Sequence, residues 1–176
     1  YQSVLDGYHL LRGMCDEVVV IGLSMGAVLS LRLAAEEPVL GVVTMSAPSI
    51  LHFNQLDWRA HYARLISPIL KAVPKSYEGE PPTDVYTVFP TLAIAQFFDL
   101  IKATDPLLPK ITVPSLLIHS SRDDFIKPDN ANYYNLRLTN SPHDLFWLER
   151  SEHVITTSVE QDVLMPRVVE FVSGVR

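Results

Sequence analysis

Cysteine is almost absent from this chain of 176 residues: Cys15 is the only one, so no disulfide can form within it, and a reducing compartment, the cytoplasm, is favoured. Cys15 itself reads as a small buried residue rather than a reactive thiol. Positive charge is also in deficit. Lys and Arg number 14 against 20 Asp and Glu, a net charge of −6, and the cations are dispersed, which leaves no electrostatic footprint for nucleic acid or anionic lipid. No apolar run approaches the length of a membrane span. There is no G-x-G-x-x-G or Walker loop, so no nucleotide or other cofactor is implied. The six histidines, His9, His52, His61, His119, His143 and His153, show neither H-E-x-x-H nor a paired i, i+4 pattern, which argues against zinc. Internal repeats and low-complexity tracts are lacking too. What remains is a chain with 48% apolar residues, enough for the core of one domain.

The informative segment is Val18 to Glu36, VVVIGLSMGAVLSLRLAAE. A β-branched run leads into Gly22-Leu23-Ser24-Met25-Gly26, and a stretch of helical periodicity follows. G-x-S-x-G alone is a weak pattern. Strand, tight turn and helix around it are the context in which a serine Oγ projects above a sheet beside a helix N-terminus. The turn is expected to be so tight that the glycines flanking the serine must be nearly without side chains. Ser24 is thus a candidate nucleophile, and the Met25 N–H a candidate donor to an oxyanion. Against this stands the bland reading, a Gly-Ser loop joining a buried strand to its helix.

A serine of ordinary acidity needs a base and an orienting carboxylate. Val113 to Ser120 reads as an apolar strand running into Ser121-Arg122-Asp123-Asp124-Phe125-Ile126-Lys127-Pro128, which puts an acid just past the strand's C-terminal end. Asp144 to Leu148 reads as a short strand, and His153 follows in the next loop. His119, at the end of the earlier strand, reads as a hydrogen-bonded strand-end histidine. The order Ser, Asp, His is that of one of the three known triad arrangements.

On GLSMG at 22–26, Asp123-x-x-Ile126-x-Pro128 and Ser151-x-His153-Val154, the chain resembles the α/β-hydrolases of the carboxylesterase and monoacylglycerol lipase group, small cytoplasmic serine esterases with a helical cap. The resemblance implies Ser24 as nucleophile, Asp123 as orienting acid and His153 as general base. Asp124 is the rival acid. The family spacing, five residues before the proline, selects Asp123. The implied fold class is α/β: a partial α/β-hydrolase fold, a mostly parallel sheet flanked by helices, with an inserted helical cap. The implied reaction is hydrolysis of short- to medium-chain esters or monoacylglycerols through an acyl-enzyme. The same triad also serves thioesterases, aminopeptidases and acyltransferases, and an inactive, truncated hydrolase-like chain is the non-enzymatic alternative. A small-molecule ester or lipid is the expected partner, and the oligomeric state stays open.

The family normally places three or four strands and a His-Gly loop, source of a second oxyanion donor, before the elbow. Here the chain starts at Tyr1, in a segment to Met14 that reads as the helix before the nucleophile strand, with Val4, Leu5, Tyr8, Leu11 and Arg12 at helical spacing. A fragment lacking those strands is therefore expected, and with it an unpaired edge on the nucleophile strand.

The rest divides into core (1–49), cap (50–109) and core (110–176). Val39 to Met45 is a continuous apolar run, a strand covered on both faces, which brings the strands to four. In the cap, Asn54–Val73 and Thr91–Thr104 read as helices, joined by a polar, proline-rich stretch from Ser76 to Tyr86. Leu51, Phe53, Trp58, Phe97, Phe98 and Ile101 are candidates to line an acyl pocket. Asp129 to Leu138 reads as a helix. Ser158-x-x-Gln161 resembles a capping box opening the last helix, which Pro166 should kink or split.

Overall fold

The structure, a computed structural model, describes residues 1–50, 57–74 and 86–175. Four strands, β1 (Val19–Leu23), β2 (Gly41–Met45), β5 (Ser115–Ser120) and β6 (His143–Leu148), form one sheet in the order β1-β2-β5-β6. All three pairings are parallel, in registers that include Val19↔Gly41, Val42↔Ser115 and Ser115↔His143. Parallel neighbours need crossovers. These are α2 (Met25–Glu36) between β1 and β2, and α5 (Asp129–Arg137) between β5 and β6. β2 reaches β5 through the 50–109 region and a 3-10 turn, Asp105–Lys110. Because every strand points the same way, the segments after β1, β2, β5 and β6 emerge on one rim.

The continuous apolar patterning of the middle strands has its expected cause, since β2 and β5 are buried along their whole length. Alternate side chains serve opposite faces. Val42 and Leu117 pack with Ala27, Leu31 and Ala34 of α2, with Tyr134 of α5 and with Tyr8 of α1 (Gln2–Arg12). Val43, Met45, Leu116 and Ile118 pack instead with Leu164 and Val168 of α6 (Gln161–Gly174). α1 buries Tyr8, whose hydroxyl donates to Pro38 O at 2.7 Å, whereas Leu11, on the expected apolar stripe, is exposed.

Three expectations need correction. Of the helix anticipated over 54–73, positions 54–56 lie outside the described residues, and the rest is α3 (Asp57–Ile66) followed by a turn and then β3 (Ala72–Pro74), which pairs antiparallel with β4 (Val88–Pro90). Pro68 supplies the reason: proline has no N–H to donate and its ring clashes with the carbonyl four residues back, so the apolar stretch beyond it is free to pair as a strand. The second helix expected in this region, α4, spans Thr91–Thr104 as anticipated, while the connection at 76–86 lies outside the described residues except for Tyr86. Pro166 does not split α6, which runs through it. One lost backbone bond is outweighed there by burial of Leu164 and Val168, with Phe171 and Val172 packed beside them. Cys15, finally, is exposed rather than buried.

Leu116, with no exposed surface, sits in the centre of the sheet, and Leu136 on α5 is 75% exposed. Urea unfolding should show Leu116→Ala destabilised by about 2–5 kcal/mol and Leu136→Ala within about 0.5 kcal/mol of the parent.

Candidate active site

β1 ends at Leu23 and α2 begins at Met25, so the single residue Ser24 turns the chain from strand into helix. It does so at φ 55° and ψ −118°, a region L-residues enter at a cost of about 1–3 kcal/mol. Its N–H donates to Met45 O at 2.8 Å, tying the elbow to the end of β2. The reversal presses two backbone segments together. A Cβ on Gly22 would stand 2.1 Å from Gly26 O and 2.5 Å from Ser30 Oγ, so position 22 admits glycine alone. Gly26 differs from expectation. A Cβ there meets nothing within 4 Å, so at this position it is the backbone, not a missing side chain, that makes the fit. Met25 opens α2, and its N–H has no residue four back in the helix to accept it.

Asp123 lies three residues beyond β5 and is 2% exposed. Its Oδ1 accepts the N–H groups of Phe125 (3.1 Å) and Ile126 (2.7 Å), an Asx turn that fixes the carboxylate's direction. Oδ2 accepts the Nδ1–H of His153 at 2.8 Å. That bond assigns the tautomer, leaving Nε2 as acceptor for the Ser24 Oγ–H at 3.0 Å. Residues from three separate loops thus form one hydrogen-bonded chain, whereas Asp124, next to the buried Asp123, is exposed. Burial acts to raise the Asp123 carboxyl. The His153 bond, the Ile126 N–H and the nearby imidazoles of His153 and His119 outweigh it and hold the group below the ordinary carboxylate value.

His119 is a buried strand-end histidine as expected, its Nε2–H donating to Ile126 O at 2.8 Å. The same Nε2 also stands 3.6 Å from Asp123 Oδ2, so His119 backs the acid loop. The Phe125 ring, 59% exposed, tilts over the His153 imidazole with centroids 4.9 Å apart.

Two supports were not legible in the sequence. Ser46, just past β2, also adopts a positive φ of 49° and donates its Oγ–H to His153 O at 3.1 Å. Nothing in Ser46-Ala47-Pro48 announces this, because the acceptor lies 107 residues away. Glu160 holds the loop after β6. The expected capping box does not form: Glu160, not Ser158, occupies the N-cap position of α6, and Gln161 Nε2 donates to Thr156 O. The Glu160 carboxylate receives the N–H groups of Glu149, Arg150 and Ser151 and the Ser151 hydroxyl. Burial pushes its carboxyl up, but the Ser151 hydroxyl and the three backbone donors hold it down at about 2, against an ordinary 4.5.

Among the candidate pocket residues, Phe98 and Ile101 of α4 are buried against Val28 of α2, with Phe97 half-buried beside them, so α4 is bound to α2 by these side chains. Leu51 and Phe53 lie outside the described residues, as does the side chain of Trp58 on α3.

Carboxyls with depressed folded values stabilise the fold above their unfolded value, and that contribution is lost as pH falls through the folded value. For Glu160 the window runs from 4.5 down to about 2, and Asp123 acts in the same direction. A thermal midpoint followed across this range should fall as the solution is acidified, and less steeply in Glu160→Gln. Gly22→Ala should abolish folding or lower the midpoint sharply, whereas Gly26→Ala should be far milder, which the same scans would read.

A model of the alpha/beta hydrolase family matches residues 1–164. A carboxylesterase of Bacillus subtilis (strain 168) is 29% identical over 174 residues, covering 97% of this chain and 70% of that protein. A thermostable monoacylglycerol lipase of Bacillus sp. (strain H-257) is 27% identical over 176 residues, with 96% and 68% covered. Among solved structures, one from a study of two metagenome-derived lipolytic enzymes superposes with a TM-score of 0.80 at 24% identity, covering 97% of this chain and 71% of that one. A Paleococcus ferrophilus monoacylglycerol lipase gives 0.78 at 16%, with 99% and 74% covered. These two likenesses concern the fold. With the parallel sheet, the serine elbow and a family match over nearly the whole length, the chain belongs to the alpha/beta hydrolase family.

Proposed function

We propose that this chain is a serine carboxylic-ester hydrolase that cleaves short- to medium-chain esters or monoacylglycerols through an acyl-enzyme. The observation that carries the reading is the unbroken path from Asp123 Oδ2 through His153 to Ser24 Oγ, with bonds of 2.8 and 3.0 Å, ending at the N-terminus of α2. Ser24 Oγ attacks the ester carbonyl as its proton passes to His153 Nε2. Asp123 keeps the imidazole in the tautomer that can take that proton and stabilises the imidazolium. Negative charge developing on the carbonyl oxygen is met by the Met25 N–H and the positive end of the helix. Collapse breaks the bond to the alcohol, which leaves with the Nε2 proton. Water, deprotonated by His153, then attacks the acyl carbon and frees the acid and Ser24.

The substrate class rests on the names of the two Bacillus relatives and on the apolar composition of the cap. In this reading Leu51, Phe53, Trp58 and Phe97 line the acyl site, while Phe98 and Ile101 hold α4 against α2 beneath it. A small ester or lipid is the partner, and among the described residues no helix is long and apolar enough to cross a membrane. A cytoplasmic setting belongs to the same proposal, supported by the free, exposed thiol of Cys15.

The test begins with a fluorophosphonate probe, which should label the chain once, at Ser24, and fail on Ser24→Ala. A p-nitrophenyl ester series of increasing acyl length, run beside thioesters, peptide amides and a monoacylglycerol, should show turnover concentrated in the shorter esters and the glyceride. Preference for thioesters or amides would move the reaction class. Asp123→Asn should lower kcat on the order of 10⁴-fold by presenting the wrong imidazole tautomer, with Asp124→Asn within a few-fold of the parent. The reverse ranking would transfer the acid's role to Asp124.

A further inference from the structure

Glu160 stands at the N-cap of α6 yet makes no side-chain cap bond there. Its carboxylate is turned back onto the loop after β6. Oε1 accepts the Glu149 N–H at 3.1 Å, and Oε2 accepts the N–H groups of Arg150 (2.9 Å) and Ser151 (2.8 Å) and the Ser151 Oγ–H (2.7 Å). Four donors thus meet a group with about four lone-pair sites. The residue is 6% exposed, so water does not compete for these places. Three successive N–H groups converging on one point are the geometry of an anion nest, filled here by the chain's own carboxylate.

The far side of Ser151 is held as well. Its carbonyl accepts the Ser120 Oγ–H, and Ser120 Oγ in turn accepts the Arg122 N–H at 3.2 Å. One serine hydroxyl therefore joins the loop carrying Asp123 to the loop carrying His153. Ser151, clamped at its N–H and hydroxyl by Glu160 and at its carbonyl by Ser120, is two residues from His153. The hydrogen bonds of the Glu160 carboxylate go to Glu149, Arg150 and Ser151, and none goes to Ser24, Asp123 or His153.

We propose that Glu160 is a positioning residue for the ester-hydrolase reaction, placing the His153 imidazole between Asp123 and Ser24 by fixing the backbone of Ser151. The inference rests on the functional reading given above. A full carboxylate is required because three N–H groups point at it. Glutamine offers a single acceptor oxygen, and its amide N–H₂ would face donors and push part of the loop away. A displacement of about 1 Å at a site remote from the chemistry can cost on the order of 100-fold in rate.

The experiment compares Glu160→Gln with the parent and with Glu152→Gln, which removes an exposed carboxylate from the same loop. Active sites are first counted by fluorophosphonate titration, so that rates are expressed per competent site. The low-field proton resonance of the His153 Nδ1–H, assigned by its loss in His153→Ala, reports the imidazole's position without reference to turnover. Glu160→Gln should lose roughly 10- to 100-fold in kcat per titrated site, with KM within about twofold, and its resonance should shift or broaden. Glu152→Gln should match the parent in both. A Glu160→Gln protein with fewer sites, each working at the parental rate with an unmoved resonance, would make Glu160 a plain stabiliser and overturn the proposal. Should that variant fail to fold, Ser151→Ala, which removes one of the four bonds, reads the same quantities. A several-fold loss per site with a shifted resonance supports the clamp, and parental values overturn it. A parent chain that takes up no fluorophosphonate would sink the ester-hydrolase reading instead, and the resonance would still read the clamp.

Discussion

Everything at the rim depends on how closely the backbone at Gly22 approaches the backbone at Gly26. With a Cβ at 22 only 2.1 Å from the Gly26 carbonyl oxygen, any other residue would force β1 and α2 apart. Separation would relax the turn that holds Ser24 at positive φ, and the hydroxyl would no longer stand over the end of the sheet. The strain at Ser24 is sustained because it is bounded on both sides. The strand is registered against β2, the Ser24 N–H is bonded to Met45 O, and the helix is anchored by Ala27, Val28 and Leu31, all fully buried.

Parallel strand order then does the work of assembly. Ser24, Ser46, Asp123 and His153 are spread over 130 residues of sequence, yet each follows the C-terminal end of a strand, and adjacent strands lie about 4.8 Å apart. Side chains a few ångströms long can therefore meet across neighbouring loops. The sheet is made rigid by burial on both faces, with α2 and α5 on one side and α6 on the other. Rim positions inherit that rigidity.

Two buried carboxylates complete the rim, each satisfied in a different way. Asp123 shares its oxygens between backbone N–H groups of its own turn and the imidazole of His153, which makes it both a turn former and a tautomer selector. Glu160 is saturated by loop donors and has no capacity left for a reacting group. Without these partners, desolvation would protonate either acid or drive it out to water. Their ionisation at neutral pH is thus a consequence of how the loops close, and the closure is in turn held by the charge.

Local signals carry their own geometry, and these are legible in the sequence itself. A β-branched run, a Gly-x-Ser-x-Gly turn and a helical period place Ser24 on an elbow because each piece constrains its immediate neighbours, and the bounds of α4 and the four strands of the sheet follow from patterning of the same kind. The order of Ser24, Asp123 and His153 at strand ends pointed to the rim for the same reason. What depended on partners far along the chain was not legible. The role of Ser46 needs a carbonyl 107 residues on, and the diversion of Glu160 from a helix cap to the histidine loop needs the fold that brings β6 back beside α6. Pro166 within α6 and the β3–β4 pair beyond Pro68 turn on the balance between local cost and burial or pairing elsewhere. Sequence by itself determined which residues could be nucleophile, acid and base and on what kind of turn each sits, because those are properties of contiguous backbone. Only the tertiary structure decided which carboxylate meets the imidazole and what holds the imidazole still, because such contacts exist only once distant strands stand side by side.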